Sequence, residues 1–511
     1  MKLAAAIALA LTLVGAGNGG EATRGETRTG GEQATTAVDG DASSSLSANE
    51  VEQAVLAPSE ATTGSARPLG FEEVLAGLAA THPDYAIAER DVDRARAQEM
   101  AARGHWDPKL GVQARYIPVG YYERLVVDAS VTQSTPLYGL TVSAGYRGGW
   151  GNFPIYKGEY QTLSAGELRA AVELPLWRDG RIDAGRAGIR KQRELVGAAE
   201  CGRDATGLSL YREAATKYWS WVAAGHTLRI QEELLETARK RDSGLRGQAE
   251  LGSIPDIVVV DNERLVLDRE SKQIEAGRKF STASLDLSLV FRNADLETVR
   301  VGPERLPVQM PSPGAVDFGD ESADLERAMQ LRPEFCALQK KRAAAQVELD
   351  LAKNRVGPDL RAGAFVSQDV GAGPPELRPV EFGAGVNLSI PLALRKARGE
   401  ARAARAKLAA IDAELRALRD GVLADVRRAR VNLDAAARQV AVAERQARIA
   451  ERLAEAEAIK FEQGASDLVV VNLRELQAAE AARSVVAAQL DYLVARADYA
   501  AAIGDFELPS P

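Results

Sequence analysis

Two cysteines, three histidines and 5% aromatic side chains in 511 residues leave few materials for a reactive centre. So few cysteines exclude a disulfide-dense scaffold and a thiolate zinc module. Cys201 and Cys336 fall in helical segments, where two buried thiols are favoured over a single bond between them. His82, His105 and His226 stand in unrelated contexts without metal-ligand spacing, so no metal or cofactor is expected. No Gly-Lys-Ser/Thr loop is present, so the chain does not itself hydrolyse a nucleotide, and no enzyme chemistry is expected. A net charge of −8 lacks the basic footprint of a nucleic-acid binder. Apolar runs are short: the longest, Leu3 to Val14, is too brief to span a bilayer as a helix.

That stretch follows Lys2 and precedes the small residues Val14-Gly-Ala16, so 1–16 reads as an export signal. The next cysteine is Cys201, far beyond the signal, so lipid attachment at a new N-terminal cysteine is not expected. Residues 17–67 are Gly, Ser, Thr, Ala and Glu with few large apolar groups, the composition of a disordered tether.

What the chain does contain, it contains twice. Pro83 and Pro108 recur 250 positions later as Pro333 and Pro358. Between and around them Leu75, Tyr85, Ala95, Ala102 and Leu110 answer Leu325, Phe335, Ala345, Ala352 and Leu360. Val172-Glu-Leu-Pro-Leu176 answers Leu388-Ser-Ile-Pro-Leu392, and Gly252-Ser-Ile-Pro255 answers Gly464-Ala-Ser-Asp467. Units this long, repeated in one order, imply one architecture built from two structural repeats, 68–298 and 319–504. A Pro-rich linker, 299–318, joins them, and 505–511 is a short tail.

Each repeat opens with helical sequence (about 69–104 and 320–355) that proline interrupts as a kink or a break. Alternation then replaces the helical period around Leu110, Leu168, Leu360 and Phe382, giving four strands with one apolar and one polar or tiny face. Val386 and Leu388 fall on the apolar face and Asn387 on the other. Residues 121–165, with Leu125-Val-Val127, Leu140-Thr-Val142 and several glycines, read either as an outer loop or as an extra hairpin. Long Ala/Arg/Glu/Leu helices follow, about 182–250 and 395–463, each roughly 100 Å long at 1.5 Å per residue. In the second, Leu408, Ile411, Leu415, Leu418 and Val422 advance by 3, 4, 3 and 4, a coiled-coil seam that continues through Leu433, Val440, Ile449 and Leu453. Each long helix turns at a glycine into a returning helix.

Four strands cannot close a barrel, since the smallest transmembrane barrels need about eight, and open edges are not tolerated in hydrocarbon. The chain is therefore expected to assemble with copies of itself; three would supply twelve strands. In the order and spacing of these elements the chain resembles the TolC-type outer-membrane efflux protein family over about 68–504. The resemblance implies a mainly α fold with a small β part: long coiled-coil hairpins forming a periplasmic tunnel, and strands shared in a twelve-stranded barrel of a homotrimer. It further implies the exit duct of a tripartite efflux or type I secretion system, set in outer-membrane lipid and served by a periplasmic adaptor protein and an inner-membrane pump. The same resemblance makes the hairpin tips, Leu251, Gly252 and Ser253 with Gly464, Ala465 and Ser466, the adaptor-docking residues. Asp256 and Asp467 are the candidate channel-entrance acids. An exported coiled-coil scaffold without a pore is the alternative from another class.

Overall fold

The computed structural model describes residues 67–154, 160–314 and 320–506. The expected export signal, the tether up to residue 66, residues 315–318 of the linker and 507–511 of the tail lie outside the described residues.

Each repeat begins with two helices separated by proline. α1 (Phe71–Thr81) and α2 (Pro83–Arg103) open the first, and α5 (Glu321–Leu331) and α6 (Pro333–Asn354) the second. The proline breaks the helix outright. His82 and Arg332 before it are extended, with ψ of 126° and 122°, because the pyrrolidine ring disfavours the helical region for its predecessor. Proline then sits at the first position of the new helix, where its missing N–H costs no bond.

Six strands follow from the two repeats: β1 (Lys109–Ile117), β2 (Arg124–Ser134), β3 (Thr141–Gly151), β4 (Glu167–Pro175), β5 (Asp359–Asp369) and β6 (Glu381–Ser389). They form one antiparallel sheet in sequence order. The four strands expected from alternation are β1, β4, β5 and β6. The other two arise from 121–165, which is the extra hairpin and not merely an outer loop. The count of four strands per chain is thus corrected to six. Glycine at 145, 148, 149 and 151 removes the side chains by which alternation would have announced β3.

The strand register carries one apolar face across the whole sheet. Val112 lies opposite Ala129, Val131 opposite Ala144, Val142 opposite Val172, Val172 opposite Ala364 and Ala384 opposite Ala364. Leu110, Leu168, Phe382, Val386 and Leu388 on this face are between 57% and 74% exposed. The opposite face is polar. There Arg147 pairs with Asp128 at 2.7 Å, Arg361 with Glu173 at 2.8 Å, and the Arg169 guanidinium lies 3.9 Å from the centre of the Phe365 ring. Asn387 shares the polar face and Val386 and Leu388 the apolar one, as their alternation predicts.

From the sheet run the long helices α3 (Ala184–Glu250) and α7 (Arg395–Glu462), each about 100 Å long. Their returning partners are α4 (Asp256–Ser288) and α8 (Leu468–Ile503). In α7 the buried positions Val422, Val426, Ala429, Leu433, Val440 and Ala443 keep the expected seam. Ile449 and Leu453 leave it, at 60% and 44% exposure. Six residues beyond Ala443, at 100° each, carry Ile449 about 240° around the helix and off the buried stripe.

The main core lies partway along the helices, where Trp221, Tyr218, Leu78, Phe280 and Leu493 meet. The Pro-rich linker takes part in it. Val301, Leu306 and Met310 are buried, Ser284 donates its hydroxyl to the Val301 carbonyl at 2.6 Å, and Leu69 N–H donates to the Arg305 carbonyl at 2.8 Å. Cys201 on α3 and Cys336 on α6 form a disulfide with Cα atoms 5.8 Å apart, which corrects the expectation of two free buried thiols. A sequence separation of 135 hid a proximity that only the packing of α3 on α6 creates.

Candidate functional site

All four helix–sheet junctions lie at one end of the sheet, because β1 and β5 leave the helices and β4 and β6 return to them. The helical hairpins therefore project from that end, and their turns lie at the opposite end of the long helices from the sheet.

The two turns are built alike. At the first, Gly252 N–H donates to the Ala249 carbonyl at 2.8 Å and Ser253 N–H to the Gln248 carbonyl at 2.9 Å. At the second, Gly464 N–H donates to Phe461 at 2.9 Å and Ala465 N–H to Lys460 at 2.8 Å. This paired pattern satisfies the last helical carbonyls and needs a left-handed residue after the cap. Both glycines supply it, with φ of +74°. Nothing lies within 4 Å of a Cβ built on either glycine, so the turns are open to solvent as well as tight. Around them Leu251, Ile257 and Val469 are 83%, 69% and 68% exposed, giving each tip an apolar flank.

The two acids differ in occupation. Asp467 caps α8, its carboxylate accepting from Val470 N–H at 2.9 Å. Asp256 is the exposed first residue of α4 and meets that helix's positive end without a side-chain cap bond. Ser466 donates its hydroxyl to Glu457 at 2.6 Å and so ties the second tip to α7.

Behind the tips lies a buried ionic link that helical charge pairing did not reveal. Arg269 on α4, 3% exposed, donates to the Leu234 carbonyl on α3 at 3.2 Å and to Glu475 on α8 at 3.2 Å. Arg241 on α3 reaches the same Glu475 and also Asn472, at 2.6 Å. One carboxylate thus holds two guanidinium groups from both arms of the first hairpin. Burial lowers the Arg269 pKa from its ordinary value, while Glu475 opposes that shift. The sequence signal was weak, since Glu475 shares α8 with Arg474 and reads as an ordinary solvated charge.

The histidines do not converge. His82 caps α2, accepting from Asp84 N–H at 3.2 Å, and His105 stacks edge-on against Trp106. His226 lies on α3, where burial pushes its imidazole pKa down and Arg229 adds to the shift. Among the described residues, no three His, Cys, Asp or Glu side chains are placed to hold a metal ion, and no helix is long and apolar enough to cross a membrane.

Residues 325–505 match the outer membrane efflux protein family. No curated protein matches the chain in sequence. Among solved structures, the outer-membrane channel OprN aligns with a TM-score of 0.62 at 16% identity, over 86% of this chain and 91% of that one. The MtrE outer membrane channel of Neisseria gonorrhoeae, in its open state, gives 0.60 at 16% identity over 87% and 93%. The CmeC outer membrane channel of Campylobacter jejuni gives 0.59 at 12% identity over 89% and 92%. The second repeat thus matches the outer membrane efflux protein family in sequence, and nearly all of the described residues share the fold of solved outer-membrane channels.

Proposed function

We propose that three copies of this chain form an outer-membrane duct, through which cargo passes from the periplasm to the exterior without chemical change. The observation that carries the reading is the six-stranded sheet with an unbroken apolar face and two unpaired edges, set at one end of 100 Å hairpins. Such a sheet is unstable in water on its exposed apolar face and unstable in lipid at its open edges. Closure with further copies inside a bilayer satisfies both. The helices carry a matching feature: Ile257, Val260, Leu267 and Ile274 on α4 advance by 3, 7 and 7 and are between 57% and 69% exposed. A stripe at heptad spacing left bare in one chain is suited to a neighbouring copy. A pore-free scaffold accounts for neither the sheet face nor its edges.

The tips then serve as the contact with a periplasmic adaptor, which links the duct to an inner-membrane pump. Their small residues admit another helical hairpin closely, and their apolar flanks give it surface to cover. Asp256 and Asp467 lie at the mouth of the tunnel, the first free to present its charge to passing ions. The test is fractionation of membranes, followed by gel analysis with and without heating and by conductance in planar bilayers. A heat-dissociable oligomer from the outer membrane that conducts supports the duct. A soluble elongated monomer would overturn it.

A further inference from the structure

The hairpin of β2 and β3 has no counterpart in the second repeat, so the duplicated plan does not say where it belongs. Resting on the duct reading above, we infer that this hairpin is part of the lipid-facing wall. Three copies of six strands then close an eighteen-stranded barrel, with β1 of one copy paired to β6 of the next so that Val112 opposes Val386.

Three observations place the hairpin in the wall. Both of its strands are bonded on both sides, β2 to β1 over nine residue pairs and β3 to β4 over seven. A plug or an outer loop would not be hydrogen-bonded on both flanks along the strands. The hairpin also continues the apolar face: Leu125, Val127, Ala129 and Val131 stand opposite Tyr116, Ala114, Val112 and Leu110. Finally, its turn is seated at the helix end of the sheet. Gln133 donates its amide to the Trp106 carbonyl, and the Tyr138 ring lies against Gly180. Gly139, at φ +74°, passes so close to Pro175 and Asp179 that a Cβ there would sit 2.7 Å from the Asp179 carbonyl oxygen.

The two free edges fit each other. β1 and β6 are both nine residues long. β1 leaves the helix end and β6 returns to it, so copies in one orientation meet antiparallel, as an even number of strands per chain requires. With Val112 opposite Val386, Leu110 meets Leu388, Ala114 meets Ala384 and Tyr116 meets Phe382. On the other face each larger residue meets a small one, Gln113 with Gly385 and Arg115 with Gly383. The charges complement too: β1 carries Lys109 and Arg115, and β6 carries Glu381. A slip by two residues keeps the faces but loses these matches. Barrel diameter grows roughly in proportion to strand number, so eighteen strands make an outlet about one and a half times as wide as twelve.

Paired cysteines test the register in full-length protein held in outer membranes. Cysteine at Val112 and Val386 together, oxidised in place, should give interchain dimers and trimers on non-reducing gels. The same Val112→Cys change combined with Ala384→Cys or Leu388→Cys should give several-fold less. The native Cys201–Cys336 bond is intrachain and adds no interchain species. A stronger product with position 384 or 388 overturns the register. No interchain product from a protein that is still a conducting outer-membrane oligomer overturns the edge pairing and leaves the duct standing. A soluble monomer overturns both. For the wall itself, a water-soluble maleimide should label Ser130→Cys and spare Val127→Cys. Equal labelling of both would put the hairpin inside the lumen.

Discussion

At the scale of single residues, the tips join a strict backbone demand to a loose side-chain one. Gly252 and Gly464 occupy left-handed backbone that costs an L-residue about 1–2 kcal/mol, yet both have open space for a side chain. A tryptophan there strains one turn and obstructs whatever docks on it, far from the sheet. Gly252→Trp and Gly464→Trp should therefore leave outer-membrane oligomers intact while abolishing export and crosslinking to the adaptor from a cysteine at Ser253 or Ser466. Oligomer yield and crosslink yield, measured on the same membranes, decide it; normal crosslinking would reduce the tips to helix caps. His226 makes a second residue-scale prediction. Its pKa is lowered by burial and by Arg229, so folding favours its neutral form. The stability it contributes is fully present above the unfolded-state value near 6.5 and is lost as pH falls below it. Thermal melts of detergent-solubilised protein should therefore drop between pH 7 and pH 5.5, and His226→Leu should flatten the drop. An unchanged slope would assign the acid sensitivity elsewhere.

At the scale of elements, the long helices carry two kinds of apolar stripe. Leu415 on α7 packs against the cluster of Val422, Val426 and Phe335 inside one chain. Leu267 on α4 belongs to a stripe that is bare in one chain. Replacing half-buried Leu415 with Asp sets a charge against that cluster and should cost about 1–3 kcal/mol, lowering helix content and oligomer together. Leu267→Asp should keep the helices, by circular dichroism, and lose the oligomer on native gels. Equal loss of helix content in both variants would show that the α4 stripe is internal. These helices were legible in the sequence because their period is long and their breaks are chemical: Pro83, Pro333, Gly252 and Gly464 each mark a boundary. Where periodicity weakens, legibility fails. The buried seam of α7 ends before Ile449 and Leu453, because apolar spacing alone does not fix the phase of a helix over 68 residues.

At the scale of the whole molecule, duplication made the architecture readable and also concealed its departures from symmetry. β1, β4, β5 and β6 could be recognised because each repeat vouches for the other. The β2–β3 hairpin has no second copy, its glycines blur the alternation, and Val126 places a β-branched residue on the polar face. The linker reads as a joiner by its prolines, although Val301, Leu306 and Met310 enter the core. The link through Glu475 depends on which helices are neighbours, and no local pattern records that.

The bond between Cys201 and Cys336 turns the middle of the chain into a ring. It closes 135 residues, which by loop entropy alone stabilises the fold by about 5 kcal/mol. Inside the ring lie most of α3, all of α4, the first tip and the linker, while the second tip hangs outside it on a free-ended arm. The two tips, alike in every local bond, are therefore unlike in topology. A protease that cuts at Leu251 opens a ring and leaves one covalent molecule; a cut at Gln463 severs the chain. Cleavage at the two tips therefore leaves one covalent molecule on one side of this duplicated protein and two on the other.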